Sequence, residues 1–131
     1  MLSPAEIAYV AASALENKKA GDVKILRTAE QTVIADYFVI CHGSSTTHIK
    51  ALVDEVDKAL SEAGEPPIRR EGLRSDIWVL MDFGSVIVHV FTDEARKFYN
   101  LERLWSDSQV IDPETLPLPE AVQKVVDFSS L

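Results

Sequence analysis

Apolar residues Ile7, Val10, Ala11, Ala14 and Leu15 recur at three- and four-residue intervals, the spacing of one helix face. The segment begins Ser3-Pro4-Ala5-Glu6, which reads as a capping box with proline at the first helical position, and Gly21 is expected to stop it. Residues 23–28 (VKILRT) and 36–43 (DYFVICHG) read as strands separated by a polar turn at 30–32. The second is apolar from Tyr37 to Cys41 and suits the middle of a sheet. In GSSTTHIKALVDEVDKALSEAG, Ser44 or Ser45 can cap a helix whose buried stripe is Ile49, Leu52, Val53, Val56 and Leu60, and Gly64 closes it. Pro66 and Pro67 restrict the next run, PPIRREG, to a short edge strand or a loop. Two strong strands follow in SDIWVLMDFGSVIVHVF, and TDEARKFYNLERLW reads as a last helix capped by Thr92.

The period of two along the strand pair sorts its side chains onto two faces. With a two-residue turn at Gly84 and Ser85, Phe83 faces Val86, Met81 faces Val88 and Val79 faces Val90, forming a wholly apolar face. The other face carries Trp78, Leu80, Asp82, Ile87, His89 and Phe91, a mixture suited to partial cover by a helix and partial exposure to a partner. Each residue also has a purely structural reading: Trp78 as core, Asp82 as a turn residue bonding its own backbone, His89 as a hydrogen-bonded structural histidine. The element order is thus α-β-β-α-β-β-β-α, an α+β single domain with a mixed five-stranded sheet and flanking helices.

The 131 residues suit one domain with a real core, and no run of 18 apolar residues exists to span a membrane. The N-terminal stretch lacks a basic n-region and contains Glu6, so a secretory signal is not expected. The single cysteine, Cys41, fits a reducing compartment such as the cytoplasm. A formal net charge of −8 argues against binding of phosphate backbones and favours a basic protein as partner. Half of that net charge falls in 106–131, where five acids meet one lysine, an acidic, proline-containing extension expected to lie outside a domain of residues 1–105; Val122, Val125 and Val126 form an amphipathic run within it.

Enzymatic chemistry finds little support. Cys41, His42 and His48 match no common zinc spacing, and a cysteine ending an apolar strand is usually inert packing. HGSS at residues 42–45, between strand and helix, is the more serious candidate, because amides at a helix start bind phosphate. Nucleotidyl transfer also needs paired carboxylates for magnesium, and Asp54 and Asp57 lie on the helix while Asp82 stands alone in its strand. Neither a Walker lysine motif nor G-x-G-x-x-G occurs. No metal and no cofactor are expected.

ADYFVICHGSSTTHIKAL followed by DIWVLMDFGSVIVHVFTDEARKFYNLERLW resembles the ribosomal silencing factor family, also called Iojap-like, over roughly residues 3–105. Trp78, Asp82, Gly84, His89, Phe91, Arg96, Tyr99, Leu101, Glu102, Leu104 and Trp105 stand where the family motif has them, and Asp36 and Ser45 match its earlier part. Phe83 replaces a common tyrosine and Met81 a more usual leucine, swaps that roughly conserve volume. The resemblance implies a nucleotidyltransferase-like fold without transfer activity. It also implies a factor that binds ribosomal protein L-fourteen on the large subunit, blocks joining of the small subunit, and lowers translation when nutrients are short.

The expected contact is Trp78, Leu80, Asp82 and Phe83 near the turn of the hairpin, with His89 across from them. Phe98, Leu101, Leu104 and Trp105 are expected to cover the sheet; Arg96, Tyr99, Glu102 and Arg103 are structural or interfacial. Direct sequence-specific binding of nucleic acid is not expected. A homodimer of the free protein is an alternative use of the apolar patch around Trp78. The rival function is a degenerate nucleotidyltransferase that still binds a nucleotide at residues 43–46.

Overall fold

The computed structural model describes residues 2–28, 35–72, 77–104 and 109–111. In chain order these form α1 (Pro4–Asn17), β1 (Gly21–Arg27), β2 (Tyr37–Gly43), α2 (Thr46–Glu62), β3 (Arg69–Glu71), β4 (Trp78–Asp82), β5 (Val86–Thr92), α3 (Asp93–Tyr99), α4 (Leu101–Leu104) and β6 (Gln109–Ile111). The strands make one mixed sheet in the order β3-β4-β5-β2-β1-β6. Only β2 and β5 run parallel, joined through α2 and the β3–β4 excursion; the other pairs are antiparallel. The elements up to α3 follow the expected order. Beyond the five expected strands, β6 pairs with β1 and caps that edge. The polar turn at 30–32, Trp105 and the valine run at 122–126 lie outside the described residues.

One face of the sheet is covered by α1 and α2. The capping box at Ser3 and Glu6 is formed, and Ile7, Val10, Ala11, Ala14 and Leu15 are buried. On α2 the cap is Ser45, whose Oγ accepts the His48 amide, and the five expected stripe residues are all buried. Against them lie Ile25, Val39 and Cys41 of the inner strands with Val79, Met81, Val86, Val88 and Val90 of the hairpin. β3 is the edge strand that the prolines implied. Its Arg70, paired with Met81 and so turned toward the helices, donates to Asp57 at 2.8 Å and Asp54 at 3.3 Å, which ties the edge to α2.

Three details differ from the sequence expectation. Gly21 does not end α1: Lys19 takes the left-handed turn at φ 61°, and Gly21 opens β1, where a Cβ would collide with the His42 ring. The last helix is not continuous to Trp105, because Asn100 adopts φ 46° and breaks it into α3 and the single turn α4. Phe98 does not cover the sheet and is 82% exposed, because α3 turns Ala95 and Arg96 inward and Phe98, two residues from Arg96, falls on the outer side.

Candidate functional site

The opposite face of the sheet carries only the short α3 and α4 among the described helices, and Leu26, Phe38, Ile40, Ile87, Phe91 and Ala95 form its smaller core. Antiparallel register sets Trp78 against Phe91, Leu80 against His89 and Asp82 against Ile87. The main-chain bond from Phe83 N to Val86 O closes the two-residue turn, with Gly84 at φ 84°, a conformation glycine adopts without cost. The face assignment read from alternation therefore holds.

Trp78 is half-buried in a cluster of rings, with centroid separations of 4.9 Å to both Phe91 and Tyr99. Its indole Nε1 donates to His89 Nδ1 at 3.2 Å. That bond fixes the histidine tautomer, because an accepting Nδ1 leaves the proton on Nε2. His89 is buried, packs edge-on to Phe38 at 4.8 Å, and burial pushes its pKa down to about 4. The imidazole is therefore neutral at physiological pH and serves as a fixed acceptor beneath the tryptophan. Its buried Nε2 has no hydrogen-bond partner among the described residues.

Asp82 does two jobs: Oδ1 accepts the Gly84 amide at 2.7 Å, as a turn aspartate does, and Oδ2 accepts from Arg69 Nε at 3.1 Å. Phe83 projects to the helix side and is 7% exposed in the larger core. The structure thus brings Trp78, Leu80 and Asp82 to the surface of one face. Phe83 and His89, expected beside them, are inside: alternation sends Phe83 through to the helices, and the Trp78 ring lies against His89. Sequence reasoning left out Ile77 and Glu71, which border Trp78 and Leu80, and left Tyr99 open between a structural and an interfacial place. The signal for Glu71 is its pairing with Leu80 across β3 and β4, invisible until register is known.

At the same end of the sheet as Trp78, and sharing Ile77 with its surroundings, HGSS lines an open cavity of about 700 Å³ together with Lys19, Gly21, Ile77, Thr92, Asp93 and Glu94. Ser44 and His48 are engaged within the fold: the Ser44 amide donates to His48 Nδ1 at 2.9 Å, and His48 Nε2 reaches the Lys18 carbonyl at 2.8 Å. Asp93 and Glu94 bring negative charge to the space a phosphate would enter. Nearby, Arg96 is buried and its Nη1 donates to the Gly21 carbonyl at 3.1 Å and lies 3.0 Å from His42 Nδ1, bolting α3 to β1 and β2. This assigns Arg96 a structural role. Cys41 is fully buried and its thiol is pushed up to about 12 by desolvation. Among the described residues no cluster of three His, Cys, Asp or Glu side chains is placed to hold a metal ion, and no helix is long and apolar enough to cross a membrane.

Residues 2–128 match the family model described as ribosomal silencing factor during starvation. A ribosomal silencing factor of Halalkalibacterium halodurans is 40% identical over 113 residues, 86% of this chain and 97% of that protein. The mouse protein named mitochondrial assembly of ribosomal large subunit protein 1 is 36% identical over 128 residues, 91% of this chain and 56% of its own length. A crystal structure of a Chromobacterium violaceum protein superposes with a TM-score of 0.78 at 36% identity, covering 80% of this chain and 88% of that one. Two faces so unequally covered, with the family motif concentrated on the hairpin that divides them, accompany a match over nearly the whole chain: this protein belongs to the ribosomal silencing factor family.

Proposed function

We propose that this protein binds the large ribosomal subunit through ribosomal protein L-fourteen and sterically blocks the small subunit from joining, repressing translation when nutrients are limiting. The observation that carries this reading is the half-buried Trp78 and its neighbour Leu80 on the sparsely covered face, beside exposed Ile77 and Tyr99. Tryptophan is favoured as a binding anchor because it removes a large, rigid surface from water at small conformational cost. Trp78, Leu80 and Asp82 meet the partner in this reading, while His89 and Phe83 hold the hairpin from behind. A net charge of −8 assists approach to a basic protein. The mouse relative's name refers to assembly of the large ribosomal subunit, which supports the same target.

The action is non-enzymatic and cytoplasmic, with residues 1–105 as the binding domain and 106–131 as an extension whose β6 joins the edge of that domain's sheet. Co-sedimentation with purified large subunits, with and without small subunits, tests it. Wild-type protein is expected to migrate with large subunits and to reduce joined particles. Trp78→Ala is expected to lose more than about 2 kcal/mol of binding, roughly thirtyfold in Kd. Unchanged binding by a stably folded Trp78→Ala removes this face from the contact. Calorimetry with nucleotides and magnesium addresses the rival reading, which requires metal-dependent binding at residues 43–46.

A further inference from the structure

A shallow cleft of about 280 Å³ opens beside the proposed anchor, lined by Glu71, Gly72, Ile77, Trp78, Leu80 and Tyr99. Its walls are apolar or aromatic: Trp78 and Tyr99 are 4.9 Å apart, and Leu80 and Ile77 flank them. The carboxylate among the lining residues is Glu71, brought to this face by its pairing with Leu80. Gly72 permits the cleft, because at φ 80° a Cβ there would strike the Trp78 carbonyl oxygen and force β3 away from β4. The volume lies at or below the smallest ligand pockets of proteins and suits one side chain better than a cofactor.

We propose that this cleft receives a basic side chain of the protein partner, its methylenes lying over Trp78 and Leu80 and its cationic head meeting Glu71. The inference rests on the binding face proposed above and assigns what enters it. Charge complementarity argues for this occupant. Arg69 already meets Asp82 at 3.1 Å and Glu71 at 3.3 Å, and the Glu71 side chain stays 55% exposed. Asp82 has both oxygens engaged and is only 17% exposed, whereas Glu71 shares the same arginine but keeps most of its surface open and lines the cleft. An aromatic floor with a carboxylate at its rim favours a cation over a neutral apolar group, which would take water from the exposed part of the Glu71 carboxylate and give it no partner beyond Arg69.

Equilibrium binding to purified large subunits is compared for wild type, Trp78→Ala, Glu71→Gln, Glu71→Lys and the remote control Glu62→Gln on α2, each first checked for unchanged thermal unfolding. Glu71→Gln is expected to weaken binding about tenfold and Glu71→Lys considerably more, with Glu62→Gln within twofold of wild type. If Trp78→Ala weakens binding while Glu71→Gln and Glu71→Lys bind as wild type does, the cleft assignment is overturned and the binding face stands. If Trp78→Ala binds normally, or wild type does not bind, the face itself is wrong and the cleft assignment falls with it. Should Trp78→Ala unfold, Leu80→Ala takes its place in the comparison.

Discussion

His89 makes stability depend on pH in a way that can be worked through. Buried with Nδ1 accepting from Trp78, its imidazole has a pKa near 4, against 6.5 for the unperturbed side chain. The folded-state value is depressed, so between these limits the unfolded chain binds the extra proton and the folded chain does not. Stability from this group is fully present above about pH 6.5 and is lost as pH falls toward 4. The separation corresponds to about 3 kcal/mol in total, most of it gone by about pH 4.5. Urea unfolding of wild type and His89→Asn between pH 7.5 and 4.5 isolates the effect. Asparagine offers an acceptor near the position of Nδ1 but does not titrate, so its cavity cost is a constant offset and the carboxylates cancel in the difference. The wild-type advantage should shrink by about 2–3 kcal/mol on acidification. A difference that stays constant within about 0.5 kcal/mol would falsify the buried, neutral imidazole; so would an NMR titration of His89 with a midpoint near 6.5.

Arg96→Met keeps the aliphatic stem but leaves the Gly21 carbonyl and His42 without their donor, and should cost about 3 kcal/mol in denaturant unfolding. Asn100→Ala keeps a Cβ at φ 46° but loses the side-chain oxygen that accepts the Arg103 amide and should lower stability by about 1 kcal/mol, whereas Asn100→Gly, which loses the same acceptor but relieves the backbone, should be close to neutral, both read by thermal unfolding. Cys41 should resist a chromogenic disulfide reagent at pH 8 in the folded protein and react at once in denaturant; fast reaction of the native form would contradict its burial.

Much of this fold is legible in the sequence because its elements carry strong, separate signals. The capping box of α1, the stripe of α2 and the alternation of the hairpin each depend on neighbours along the chain, so reading them needs no knowledge of the tertiary structure. What could not be read depends on contacts distant in sequence. Lys19 supplanted Gly21 as the helix-ending residue because Gly21 is needed where β1 passes the His42 ring. Phe98 looked like core because its spacing matched a continuous helix, but α3 turns Ala95 and Arg96 inward and leaves it on the outer side. Alternation puts His89 on the mixed face but gives direction without depth, and Phe83, on the apolar face, is expected in the contact only because the turn end of a hairpin exposes both faces: which face a residue points to is local, and how deeply it lies is not.

The same distinction explains why Trp78 can serve as a surface anchor in a strand whose other face is core. A half-exposed tryptophan on a bare sheet would be free to turn its indole, and ordering it would weaken binding by the lost side-chain freedom. Here the Nε1 bond to His89 and the rings of Phe91 and Tyr99 hold it on three sides before any partner arrives. The acceptor holds it only while neutral, and burial keeps it neutral, since an imidazolium would present a proton to the indole N–H instead of a lone pair. Burial of His89 is thus what makes Trp78 rigid, and the exposed remainder of the ring is the part available to a partner. The histidine that sequence reasoning put in the contact contributes from one layer beneath it.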